Sequence, residues 1–135
     1  MNWSITRCRL TLTALWWGWG MLLILLLAVL SAQSKLFTDV GAAWQWFMPN
    51  LMPTMMLVGA AAYARQKTAE PGDTPIGPLF VIALAASIIY LLLLTISVAG
   101  AMFASPPLEW LTRSNYWLGP VQGLAASALG VFFTK

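Results

Sequence analysis

Few side chains in this chain could do chemistry. The acids are Asp39, Glu70, Asp73 and Glu109, histidine is absent, and Cys8 stands alone. Without histidine or a second cysteine, imidazole-held haem, histidine zinc sites and disulfides within one chain are excluded. All four acids lie in polar links between apolar stretches. No carboxylate pair, nucleophile–base pair or metal cluster stands at a workable spacing. The reading is therefore no catalytic residues, no cofactor, no metal and no enzyme. Glu70 and Asp73, close to Arg65 and Lys67, read as a solvated turn.

Softer chemistry remains in the thioethers. Met48, Met52 and Met56 recur every four residues, with Met55 beside them. Thioethers suit Cu(I), and a Met-x-x-x-Met pair on a membrane helix resembles the trimeric copper-uptake transporters. That family carries a methionine- or cysteine-rich tail and three spans, which this chain does not match. Methionine as a flexible gap filler is the stronger reading. Proton-coupled transport needs an ionisable group inside a span. Small four-helix multidrug exporters carry a carboxylate in their first helix, and the first apolar stretch here has none.

The uncharged polar residues inside apolar stretches are Gln45, Asn50, Tyr90, Thr95, Ser97, Gln122 and Ser127. Gln45, Asn50 and Gln122 are the candidates either to line a narrow water path or to bridge helices. Bridging is the commoner use and is worth about 0.6–2 kcal/mol. A second pattern is a ladder of small residues, Gly119, Gly123, Ser127 and Gly130, at spacings of four, four and three. Such a face lets helix backbones approach closely in lipid, either within the bundle or between chains.

The elements that must position these residues are long and apolar. Of 135 residues, 60% are hydrophobic and 8% charged, against about 25% charged in soluble domains. Lipid is the natural sink for that surface. The net charge of +3 comes from scattered cations, with no basic stripe to follow phosphates, so nucleic acid is not an expected partner.

Four spanning helices are expected, about 10–32, 44–64, 79–102 and 116–134, in one transmembrane domain covering 1–135. The first apolar run is longer than a signal-peptide core and reads as an uncleaved helix that carries Trp16, Trp17 and Trp19. The second holds Pro49 and Pro53, each of which removes a backbone donor, so a kink or local break is expected there. Neighbouring helices can satisfy the freed carbonyls inside a membrane. Residues 105–113 read as a short interfacial segment. The fourth span, with Pro120 and its glycines, has the weakest helical character.

Arg7, Arg9, Arg65, Lys67 and Lys135 fall on one side of such a bundle, and Lys35 and Arg113 on the other. Five cations against two place both termini in the cytoplasm. The compact spans suggest a bacterial inner membrane.

The expected class is thus an all-α integral membrane protein, a compact four-helix bundle with a Pro-kinked second helix. Its expected work is helix–helix association, as a homo-oligomer or as the membrane subunit of a larger complex. An oligomeric channel or membrane-permeabilising effector is an alternative. A membrane immunity protein that antagonises a pore-forming toxin is another.

Overall fold

The computed structural model describes residues 4–33, 37–66 and 77–134. They form four helices: α1 (Ile5–Ala32), α2 (Val40–Gln66), α3 (Gly77–Ala101) and α4 (Pro107–Thr134). Lys35, Lys67, Glu70, Asp73 and Lys135 lie outside the described residues, and so does the turn around Pro71 and Gly72.

Local signals account for the helix starts, which come earlier than expected. The Ser4 hydroxyl accepts the Arg7 N–H at 3.4 Å, so α1 begins ahead of its two arginines. Asp39 plays the same part for α2, its carboxylate accepting the Ala42 N–H at 3.1 Å. Both are the cap residue types that satisfy orphan donors at a helix N-terminus.

The expected separate segment at 105–113 is corrected. The stretch from Pro107 onward is the first part of α4, which is one helix of 28 residues. Pro107 stands at its first position, where a missing N–H costs nothing. Glu109 and Arg113 then pair at 2.5 Å one turn apart.

All four helices are long, but three, α1, α3 and α4, are apolar enough to cross a membrane. The expectation of four spans therefore holds only in part, and the helix that falls short is α2 rather than α4, the one read as weakest from the sequence. Its Gln45, Asn50, Pro49, Pro53, Arg65 and Gln66 dilute the apolar content. α2 nonetheless continues as one helix through Pro49 and Pro53, without the expected local break.

The helices pack in the cyclic order α1–α2–α4–α3, with the most extensive interface between α3 and α4. Each contributes one buried stripe. On α1 it runs Cys8, Leu12, Trp16, Gly20, Leu23, Leu27 and Leu30, at helical spacing. On α2 it runs Ala43, Trp46, Phe47, Asn50, Leu51, Thr54, Met55 and Val58, so its polar residues Asn50 and Thr54 face inward. The opposite faces carry exposed Leu22, Leu25, Val29, Ile82, Ile89, Ile96 and Leu124, as lipid-facing surfaces do.

Three glycines allow the closest approaches. A Cβ on Gly20 would fall 2.5 Å from the Met55 sulfur, and one on Gly59 would fall 3.1 Å from the Trp17 ring. On Gly100 it would fall 2.6 Å from the Trp110 indole nitrogen. None of the three belongs to the small-residue ladder read from the sequence.

Candidate functional site: a polar junction at the prolines and the groove beside it

Pro53 has no N–H, so the Pro49 carbonyl lacks its intrahelical donor, and the pyrrolidine ring also crowds the preceding turn. In an apolar interior an unpaired carbonyl is costly, so a donor from elsewhere is required. α4 supplies it. The Gln122 side-chain amide donates to the Pro49 carbonyl at 3.2 Å and to the Asn50 carbonyl at 3.3 Å. From α3, the Tyr90 hydroxyl donates to the same Asn50 carbonyl. Within α2, the Asn50 amide donates back to the Trp46 carbonyl at 2.7 Å, and it also reaches the Asn115 side-chain oxygen on α4 at 3.2 Å. At Pro53 a side chain from α4 thus takes over the work of the missing backbone donor, and α2 stays helical there.

α1 joins through aromatic chemistry. Trp16 stacks on Tyr90 with ring centroids 5.9 Å apart, and its indole N–H donates to the Ser87 hydroxyl at 3.0 Å. Ser87 passes its own hydrogen to the Ala83 carbonyl. One turn further along α1, Trp19 donates to the Thr95 hydroxyl at 2.9 Å, and Thr95 donates to the Leu91 carbonyl. The tryptophan cluster is therefore a clamp, with Trp16 and Trp19 held by α3 and Trp17 lying over Gly59 of α2.

Of the polar residues singled out from the sequence, the fold brings Asn50 and Gln122 together. Gln45 is exposed and takes no part in the junction. Tyr90 joins the junction, as does Asn115, which the sequence reading placed outside a span. Asn115 at the opening of a supposed separate helix offered no periodic signal; only the continuity of α4 puts it one face away from Asn50. The thioethers separate: Met55 is buried against Gly20 and Met56 is exposed. Among the described residues, no three His, Cys, Asp or Glu side chains are placed to hold a metal ion.

The ladder lies elsewhere than packing inside the bundle would require. Gly119, Gly123 and Ser127 are exposed, and Gly130 is partly covered. A Cβ on Gly119, Gly123 or Gly130 would meet no atom within 4 Å. Beside this face, α2 and α4 flank a shallow, wide-open groove of about 440 Å³. α4 lines it with Gly119, Gln122, Gly123 and Ala126, and α2 with Pro53, Thr54 and Leu57. Thr54 is 2% exposed. Its hydroxyl forms no hydrogen bond with any described residue, although the groove reaches it.

The residues thus define a helical bundle with three apolar, membrane-length helices, a polar junction that joins α2, α3 and α4, and an open apolar groove. No protein-family model matches the chain, and neither a curated protein nor a solved structure matches it.

Proposed function

We propose that this protein is a polytopic membrane protein that acts through helix–helix association, with the small-residue face of α4 as its working surface. The observation that supports this reading is the outward direction of Gly119 and Gly123, where an added Cβ would meet no atom of the bundle. Glycine weakens a helix by about 1 kcal/mol relative to alanine, so a merely lipid-facing surface gains nothing from it. Helices in lipid associate without a hydrophobic force, and smooth small-residue faces are a main source of their packing energy.

The cation distribution supports a cytoplasmic location for both termini, and the setting this suggests is a bacterial inner membrane. The pore alternative has no comparable feature behind it, since Asn50 and Gln122 make their hydrogen bonds inside the bundle.

The test is photo-crosslinking in native membranes, from a reactive side chain at position 123 and, as control, at lipid-facing Leu22 of α1. A protein adduct at 123 and none at 22 is the expected result. Lipid adducts alone at both positions would sink the association reading.

A further inference from the structure

We infer that the groove between α2 and α4 receives α4 from a second copy of this chain. The inference rests on the association reading and names its partner. Three features carry it.

The first is the unsatisfied hydroxyl of Thr54. It sits at the middle of α2, lines the groove, and finds no hydrogen-bond partner among the described residues. Acyl chains carry no acceptor, so lipid filling the groove leaves this hydroxyl unpaired at a cost. A transmembrane helix laid in the groove brings acceptors with it: hydroxyls such as Ser127, and backbone carbonyls beside glycine.

The second is the spacing. Gly119, Gly123 and Ser127 stand four residues apart on the exposed face of α4, the small-xxx-small pattern that lets two identical helices cross closely.

The third is self-complementarity. Copies inserted in one orientation bring their α4 helices together in parallel, and a two-fold interface must match its own surface. α2 stands on the Gln122 side of the ladder. Leu124 protrudes on the other side, about 100° around the helix from Gly123, and is 68% exposed. A two-fold rotation about the membrane normal brings the Leu124 flank of the second copy to the α2 side of the first. Pro53 and Leu57 then form one wall of the space it enters. Knob and hole are carried by the same face.

The experiment is disulfide cross-linking of full-length protein in native membranes. In a Cys8→Ser background, the near-isosteric Ser127→Cys on the exposed ladder face is compared with Leu22→Cys under an added oxidant, which takes up the two electrons and two protons released as the disulfide forms. Dimer at 127 well above the level at 22 is expected. Equal levels overturn the proposal. If position 123 photo-crosslinks to a protein of another mass while no disulfide dimer forms, a second copy is ruled out as partner and the association reading survives. If only lipid is captured, both readings fall.

A second measurement guards against a folding defect. Gly123→Ala adds a Cβ that meets nothing within its own chain, so its thermal midpoint should equal or exceed that of the unmodified chain. Its dimer fraction in mild detergent, read by light scattering, should still fall severalfold. Thr54→Val should lower the association constant about threefold, the average effect of one interhelical hydrogen bond in lipid. Unchanged dimerisation in both variants overturns the proposal.

Discussion

The Gln122 side-chain nitrogen lies 3.2 Å from the Pro49 carbonyl oxygen, the acceptor that Pro53 leaves without a donor four residues along α2. A defect in one helix is answered by a side chain from another, so the two residues should be coupled in energy although they sit on different elements. Because Gln122 also borders the groove, this contact ties the internal junction to the outer face of α4.

That coupling is measurable. Gln122→Leu should destabilise the protein by about 1 kcal/mol, the scale of an interhelical hydrogen bond in a membrane protein. In a Pro53→Ala background the backbone donor returns, and the same substitution should lose most of its effect. The check is a double-mutant cycle from unfolding in detergent. Additive effects would mean that Gln122 is not serving the proline-freed carbonyl.

The glycines should divide by direction. Gly100→Ala places a Cβ 2.6 Å from the rigid Trp110 indole, whose N–H is held by the Ser97 carbonyl at 2.9 Å. Overpacking of this kind costs about 1–3 kcal/mol. Gly20→Ala meets the flexible end of Met55 and should cost less. Gly119→Ala meets nothing and should raise monomer stability slightly through helix propensity. Ranking the three thermal midpoints decides the matter. A destabilised Gly119→Ala monomer would contradict the outward ladder.

Trp16 should be the most sensitive position on α1. It is fully buried, stacks on Tyr90 and donates to Ser87. Trp16→Ala removes all three contributions and should cost about 3–5 kcal/mol. Trp16→Phe keeps a ring against Tyr90 but strands the Ser87 contact, and should cost clearly less. The readout is again unfolding in detergent. Equal losses would assign the whole effect to the hydrogen bond.

What the amino-acid sequence determined by itself was what local chemistry and composition control. Apolar runs of membrane length were legible, because composition and length carry them; the helix starts set by Ser4, Asp39 and Pro107 were not, because the apolar pattern begins several residues beyond each of them. The proline problem in α2 was legible too, since the loss of a donor is a covalent property of Pro49 and Pro53. The tertiary structure alone decided which donors answer it and which faces turn inward. A helix that is apolar all round has no weak side to point toward water. Gly123 on α4 and Gly100 on α3 therefore look alike in the sequence. One faces open space and the other an indole because helix orientation is settled by the fit of particular shapes and hydrogen bonds across the bundle. Trp16 with Ser87, and Gln122 with Pro49, are pairs of that kind, far apart in the chain and joined only when four helices meet.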